Sequence, residues 1–159
     1  MTDQKTVLDQ MRNAQIVDTY VHTEDAAWIP FPGVDGIDFK VLRVSPETGT
    51  WTVLIQMVAG SGFPRHKHLG AGEYFMTKGK LEVRGGVENG GITAYAGDYG
   101  WEPSGMIHDH TEAVIDSEFL FTNHGPLVFI DDDDNVVGVL DWQAVLGIEA
   151  ASRALEPAV

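Results

Sequence analysis

Residues 60–68, Gly-Ser-Gly-Phe-Pro-Arg-His-Lys-His, and residues 97–108, Gly-Asp-Tyr-Gly-Trp-Glu-Pro-Ser-Gly-Met-Ile-His, are the two stretches that decide the fold of this chain. The first places His66 and His68 two residues apart, and in an extended strand such neighbours project from the same face. The second supplies His108 behind a turn that contains proline and glycine. Three imidazoles that can reach one point predict a metal site, because neutral imidazole is a common metal ligand.

Both stretches resemble the two cupin sequence motifs. The first has the pattern G-x5-H-x-H and is followed by Gly79 at the expected position of the closing glycine, and the second has the pattern G-x5-P-x-G-x2-H without a gap. The resemblance implies an all-β fold, namely a cupin, or double-stranded β-helix (jelly-roll) barrel. It also implies that His66, His68 and His108 hold the metal inside the barrel.

One departure from the motif concerns the ligand set. The usual cupin pattern has a glutamate ligand four residues after the second histidine and seven before the closing glycine, and both counts lead here to Gly72. Glu73 is one residue out of register, and such an offset turns a side chain to the opposite face of a strand. We therefore expect Glu73 to point away from the metal and three neutral histidines to form the ligand set. A β-bulge that turns Glu73 back into the site is the alternative.

Composition narrows the class of protein. A chain of 159 residues is long enough for one domain with a sizeable core. The net charge of −14 argues against a nucleic-acid partner, and the absence of cysteine excludes disulfides and thiolate ligands. The N-terminus does not have the pattern of a signal peptide, and no segment approaches the roughly 18 apolar residues of a membrane span. We expect a cytoplasmic, soluble protein.

Short apolar segments between turn residues predict a β-sandwich or barrel. Short helices are predicted near both ends of the chain, at 2–15 and 142–155. The predicted strands are 37–44, 51–59, 73–76, 80–84, 92–96, 107–112, 118–122, 127–130 and 136–140.

Other candidate ligands have weaker patterns. His22 and His124 stand outside any motif, so we expect structural or surface roles for them. His110 has the same strand parity as His108, but the Pro-x-Gly spacing of the second motif favours His108. The acidic run 131–134 is interpreted as a solvated hairpin tip, because it does not have the ligand pattern of a calcium loop.

Glu102 directly precedes the turn of the second motif, so we expect it at the barrel mouth near His108. From there its carboxylate can accept a proton from a ligand imidazole or bond to Arg84 across the barrel, and such partners orient metal ligands. Tyr74 and Thr111 complete this predicted polar group.

At these residues the chain resembles the acetylacetone dioxygenases, cupins that cleave β-diketones with Fe(II) held by three histidines. The likeness runs from about Trp28 to Trp142, and we expect one cupin domain over 1–159 with its core at about 28–142. It includes Gly-Glu-Tyr-Phe at 72–75, Glu-Val-Arg-Gly-Gly at 82–86 and Thr-Ala-Tyr-Ala at 93–96.

The resemblance implies a role for each matching residue. The iron ligands are His66, His68 and His108, and the apolar pocket residues are Phe63 and Phe119. The polar residues around the site are Tyr74, Arg84, Glu102 and Thr111. One further pocket phenylalanine of the family is Asn123 here, a departure that bears on the choice of substrate.

The implied reaction is cleavage of a C–C bond of a 1,3-dicarbonyl compound with O2, giving a carboxylic acid and a 2-oxo-carbonyl product (EC class 1.13.11). Three neutral ligands leave the full +2 charge on the metal, which favours an anionic, bidentate enolate. The alternatives are a related dioxygenase of the hydroxyacetophenone type, a Zn(II) hydrolase, and a non-catalytic cupin that binds a small ligand. By analogy with other cupins we expect a homodimer or homotetramer.

Overall fold

The computed structural model describes residue 18 and residues 20–155, so the helix predicted at 2–15 lies outside the described residues. The described residues form twelve β-strands, one α-helix and a short 3-10 helix at Val87–Asn89. The strands are β1 (Ile29–Pro30), β2 (Ile37–Val44), β3 (Trp51–Met57), β4 (Gly62–Phe63), β5 (His66–His68), β6 (Gly72–Val83), β7 (Ile92–Tyr95), β8 (Tyr99–Glu102), β9 (Ile107–His108), β10 (Thr111–Asn123), β11 (Leu127–Ile130) and β12 (Val136–Leu140). The helix is α1 (Trp142–Leu155).

The strands form two antiparallel sheets. The larger sheet has the order β1-β2-β3-β10-β6-β7, with β4 also paired to β10 and β8 to β6, and the smaller sheet has the order β12-β11-β5-β9. The two sheets are separate and do not form one closed barrel, but the all-β jelly-roll prediction agrees with this arrangement. The chain enters the smaller sheet for β5 and again for β9, and each time it returns to the larger sheet at the next strand.

The core fills the space between the sheets. Along β3 every second residue is buried, which is the pattern of a strand with one face on the core. The larger sheet contributes Ile55 and Phe121 to the core, and the smaller sheet contributes Leu127 and Leu140. Because the side-chain period is two, this burial fixes the register of the strands and therefore the face on which each polar residue lies.

Several predicted elements have the observed bounds, namely β2, β11, β12 and α1. Helix α1 starts after Asp141, whose Oδ1 accepts a hydrogen bond of 2.9 Å from the backbone N–H of Ala144, and Val145 is buried on its inner face. No helix among the residues that the structure describes is long and apolar enough to cross a bilayer.

The prediction of two strands around Gly79 was wrong, because β6 runs without a break through this position. Gly79 has a φ of +91°, and the opposite strand β10 shifts register between Ile115 and Glu118. The irregularity on β10 compensates for the turn of the backbone at Gly79, so the ladder resumes beyond it.

The predicted strand at 107–112 was also wrong, because it is divided at Asp109 and His110, where the chain changes sheets. Beyond this point β10 includes the separately predicted strand 118–122 in one strand of 13 residues. Strand β8 was not predicted, because its glycine and the following proline resembled a turn. It pairs with residues 72–75 of β6, and this pairing places Glu102 beside the first motif.

A comparison of Gly79 in β6 with Gly97 tests whether the surroundings of Gly79 leave no space for a side chain. Both have a similar φ, +91° and +95°, but a Cβ at Gly79 would lie 2.5 Å from the carbonyl oxygen of Asp116, whereas a Cβ at Gly97 would have no heavy atom within 4 Å. Each alanine substitution should cost about 1–3 kcal/mol for backbone strain. We expect Gly79→Ala to cost about 1–3 kcal/mol more because of the collision. Urea unfolding of both variants measures the difference, and equal losses would contradict it.

Candidate metal centre

Three buried histidines meet in the space between the sheets. His66 and His68 point to the same side of β5, with the intervening Lys67 turned to the other side, and His66 lies opposite His108 in the pairing of β5 with β9. One ring nitrogen from each of the three side chains lies within 4.8 Å of the others. The three side chains that the two motifs predicted as ligands are therefore close enough to share one ion.

Burial keeps these rings neutral. It lowers the pKa of His66, although the hydrogen bond to the carbonyl of Pro64 opposes this shift. Burial, followed by the charge of His66, lowers the pKa of His68 to about 4. Burial, followed by the charges of His66, His68 and Arg84, lowers the pKa of His108 to about 3. Neutral imidazoles are the form that binds a metal ion.

The Nδ1 atom of His66 lies 2.8 Å from the carbonyl oxygen of Pro64. A carbonyl oxygen can only accept a hydrogen bond, so the neutral ring carries its proton on Nδ1 and has its lone pair on Nε2. The bend of the chain between β4 and β5 thereby sets the orientation of one ligand.

Glu102, at the end of β8, places its carboxylate beside the other two rings. Oε2 lies 3.2 Å from Nε2 of His68, and Oε1 lies 3.5 Å from Nδ1 of His108. The first contact does not have hydrogen-bond geometry, and Nε2 of His68 is buried without a hydrogen-bond partner among the described residues. A carboxylate oxygen and an unprotonated ring nitrogen both carry lone pairs, so they repel each other unless a cation or a proton lies near both.

Burial raises the pKa of Glu102 to about 7, and the charge of Arg84 opposes this shift. In the described part of the chain no hydrogen bond or ion pair joins Arg84 to Glu102, so Arg84 acts on the carboxylate through its field. The carboxylate of Glu102 thus lies close to the two imidazoles, but among the described residues it has neither the predicted hydrogen bond from an imidazole nor the predicted bond to Arg84.

These residues fit a divalent metal ion. Three imidazoles supply nitrogen ligands, and Nε2 of His68 is a buried polar atom that lacks a partner within the described residues. Both Fe(II) and Zn(II) accept imidazole ligands, so the ligand set itself allows either ion.

Glu73 is directed away from this centre, as its offset predicts. Its carboxylate accepts a hydrogen bond of 2.6 Å from the hydroxyl of Tyr99 and lies 3.1 Å from Nε2 of His124 on the outer face of the larger sheet. Gly72 is the residue that faces His68, and a Cβ at this position would lie 2.9 Å from Cε1 of the ring. A bulge that turns Glu73 inward is therefore absent from β6 in this region.

The predicted polar group surrounds the three histidines. Thr111 is buried, and its Oγ1 has no hydrogen-bond partner among the described residues. Arg84 has a φ of +53°, a conformation that is uncommon outside glycine and is often found at functional sites. Its Nε is likewise without a partner in this part of the chain, and its Nη1 donates to Sδ of Met106 at 3.4 Å.

Tyr74 is held in place by its neighbours. Its ring makes an edge contact with Phe119 at 5.9 Å between centroids and packs directly over Gly100 of β8, where a Cβ would collide with it. Burial, followed by the charges of Glu102 and Asp98, raises the pKa of Tyr74 to about 12. The hydroxyl therefore keeps its proton at neutral pH and can donate a hydrogen bond.

A small apolar cavity of about 50 Å³ lies against the histidines. The predicted pocket residues Phe63 and Phe119 line it, as do Tyr74, Glu102 and Thr111, whereas Arg84 is not among the described residues of its wall. Further apolar lining residues were not predicted, and they include Phe31, Ile55, Phe121, Leu127 and Phe129.

The sequence pattern could have indicated two of the cavity-lining residues that were not predicted. Phe121 follows Phe119 at strand spacing, and Phe129 lies on a predicted strand. No sequence pattern indicated Phe31, because it reaches the cavity from the loop after β1. Its ring packs against Phe63 and Phe129, with centroid distances of 5.5 and 6.0 Å.

Comparison with known proteins identifies the family. Residues 17–128 match the family described as ChrR cupin-like domain, and this match covers more than half of the chain. The chain belongs to the ChrR cupin-like domain family. The predicted cupin fold is thus confirmed.

Individual relatives of this cupin are more specific. It is 42% identical over 149 residues to the acetylacetone-cleaving enzyme of Acinetobacter johnsonii, which covers 92% of this chain and 97% of that enzyme. The crystal structure of an acetylacetone dioxygenase from the same organism has a TM-score of 0.82 and 46% identity, covering 85% of this chain and 93% of that one. A structure from Methylibium petroleiphilum PM1, provisionally described as an acetylacetone dioxygenase, has a TM-score of 0.82 and 44% identity. The match covers 85% of this chain and 96% of that one. The predicted resemblance to the acetylacetone dioxygenases is confirmed.

The remaining candidates of this cupin lie away from the cavity. Asn123 is buried beside His68 and is not among the described cavity-lining residues. His110 is exposed and lies 3.0 Å from the carboxylate of Glu112, and His22 and His124 are also exposed. The acidic run forms the tip between β11 and β12, as predicted, with Asp131 bonded to the backbone of Asn135.

Two neighbouring residues of β6 test the ligand set of this cupin. Glu73→Gln should leave metal stoichiometry and affinity unchanged, because the carboxylate is on the outer face. Gly72→Ala should lower metal affinity by about 10-fold or more, since the added methyl group displaces the ring of His68. Titration of the metal-free protein against a competing chelator measures both. Loss of metal in Glu73→Gln alone would contradict the three-histidine assignment.

Proposed function

We propose that this cupin is a non-haem Fe(II) dioxygenase that cleaves a C–C bond of a small β-diketone, such as acetylacetone, with O2. The observation that carries the proposal is a buried cluster of three neutral histidines beside an apolar cavity, in a chain 42% identical to an acetylacetone-cleaving enzyme. The products would be a carboxylic acid and a 2-oxo-carbonyl compound. The atoms of the diketone and of one O2 account for both products, so no further reductant is required.

His66, His68 and His108 would hold the metal ion. Bound Fe(II) would supply the one-electron chemistry that O2 requires, which Zn(II) does not have. The histidines are neutral ligands and do not cancel the charge of the ion. An anionic substrate with two oxygen atoms, such as the enolate of a 1,3-diketone, therefore suits this centre better than a neutral one.

The cavity supports a small and largely apolar substrate. Its volume of about 50 Å³ leaves little space beyond a compact molecule, and its wall is mainly aromatic and aliphatic. The same side chains would exclude water from the bound enolate, which strengthens its electrostatic interactions with the site.

The polar residues would orient the substrate and the ligands. The hydroxyl of Tyr74 keeps its proton because its pKa is raised to about 12, so it can donate to a substrate oxygen. Oγ1 of Thr111 is a second donor in the wall of the cavity, and it has no hydrogen-bond partner among the described residues. Glu102 would place its carboxylate beside Nε2 of His68 and Nδ1 of His108, with Arg84 partly offsetting its charge. A separate base is not required, since a 1,3-diketone ionises readily beside a dication.

The single-domain organisation, with its core at about 28–142, stays a prediction. So do cytoplasmic location and assembly as a homodimer or homotetramer. Light scattering coupled to gel filtration determines the oligomeric state.

Reconstitution of the metal-free protein tests the activity and the metal together. After anaerobic loading with Fe(II), we expect equimolar consumption of O2 and acetylacetone, measured with an oxygen electrode and by product analysis. The Zn(II)-loaded protein should bind the diketone without consuming O2. His108→Ala should lose both metal and turnover, because two remaining imidazoles hold the ion weakly. Diketone hydrolysis by the Zn(II) form, or binding without turnover by the Fe(II) form, would replace the proposal with a hydrolase or a binding protein, respectively.

Glu102→Gln separates a positioning role from a ligand role. The amide has the size of the carboxylate but not its charge, so we expect Fe(II) to stay bound while kcat falls by about 10- to 100-fold. Metal analysis and steady-state kinetics measure the two effects. Loss of the ion would make Glu102 a ligand, and an unchanged kcat would remove it from the site.

A further inference from the structure

Asn123 is a buried polar residue for which the proposed mechanism has no role. It is the last residue of β10, lies opposite Trp51 of β3 and Gly72 of β6, and has an exposed fraction of 0%. Burying an amide costs free energy unless its donors and acceptor are bonded. The partners of this side chain therefore indicate why it is there.

The hydrogen bonds of Asn123 determine which way its amide points. Its Nδ2 lies 2.6 Å from the carbonyl oxygen of Gly125, and its Oδ1 lies 3.2 Å from Nδ1 of His68. A carbonyl oxygen only accepts, so the nitrogen end of the amide must face Gly125 and the oxygen end must face His68. Nε1 of Trp51 donates to the same carbonyl at 3.0 Å and holds it in position.

The orientation of the amide in turn determines where the proton of His68 lies. An amide oxygen only accepts, so this contact is a hydrogen bond only when Nδ1 carries the proton. The carbonyl of Gly70 is a second acceptor beside the same ring. In the neutral ring the lone pair is then on Nε2, which is the buried atom without a described partner beside Glu102.

We infer that Asn123 is a positioning residue that holds His68 in its metal-binding tautomer, with Nδ1 protonated and the lone pair of Nε2 directed at the metal. The backbone carbonyl of Pro64 does the same for His66. The inference rests on the proposed metal centre but not on the identity of the substrate.

Gly72 leaves the space that this arrangement needs. A Cβ at this position would lie 2.9 Å from Cε1 of His68 and 3.0 Å from Oδ1 of Asn123. The absence of a side chain at the usual position of the cupin glutamate therefore allows the ring and the amide to meet.

The tautomer can be measured in the native protein without metal or substrate. Long-range 1H–15N NMR of histidine-labelled, metal-free protein should show His68 with its proton on Nδ1 at a pH where the ring is neutral. A proton on Nε2 would overturn the inference. Because this measurement involves neither Fe(II) nor O2, its failure is distinct from a failure of the oxygenase assay.

Substitutions at 123 test the consequence for metal binding. Asn123→Leu removes the side-chain acceptor at similar volume and leaves only the carbonyl of Gly70, so we expect the tautomer preference to weaken and metal affinity to fall by about 10-fold. Asn123→Asp keeps an oxygen facing Nδ1 but loses the donor to the carbonyl of Gly125, so we expect it to retain the tautomer at some cost in stability. Calorimetric or chelator-competition titration gives the Kd of each variant.

Ser117→Ala is the matched control. Ser117 is also buried on β10, and its hydroxyl bonds to the backbone of Lys80 and Ile115, away from the histidines. We expect this variant to lose stability but not metal affinity. An Asn123→Leu protein with native affinity and an unchanged tautomer preference, or an Asn123→Asp protein with the proton of His68 on Nε2, would overturn the inference.

Discussion

The antiparallel pairing of His66 with His108 is the constraint on which the rest of the site depends. It places three basic rings together in a space that excludes water, and such rings are tolerated there only when they are neutral or share a cation. Neutrality leaves each ring with one proton and one lone pair. Each ring then needs a hydrogen-bond acceptor for its N–H and a cation for the lone pair of its other nitrogen. The carbonyl of Pro64 and Oδ1 of Asn123 are the acceptors for His66 and His68.

The two-sheet architecture supplies the surroundings of this pairing. Because the chain changes sheets on either side of β5 and β9, the short smaller sheet presents the rings towards the inner face of the larger one. That face contributes both the apolar wall and the polar residues Tyr74, Glu102 and Thr111. The carboxylate of Glu102 close to three neutral rings favours a cation, which would in turn keep Glu102 ionised, and the apolar wall favours a compact organic substrate.

Side chains alternate between the two faces of β6 at its first residues, so Gly72 and Glu73 have different surroundings. Gly72 faces inward and leaves space for the ring of His68, while Glu73 faces outward and bonds to Tyr99 and His124. A shift of one residue would exchange these positions and bring a carboxylate into the ligand set. The neutral charge of the three-histidine cluster therefore follows from strand register, and the proposed preference for an anionic substrate rests on it.

The sequence by itself determined which three histidines form the cluster, the outward direction of Glu73, the all-β class and the bounds of β2, β11, β12 and α1, because these depend on local spacing and on the period of a strand. Only the tertiary structure decided the rest. It joined two predicted strands through Gly79, divided another at Asp109, and brought Phe31 from a loop into the cavity. It also placed Asn123 behind His68 and not along the cavity. Contacts of this kind join residues that are far apart in the chain, and a local sequence pattern does not predict which of these residues come together.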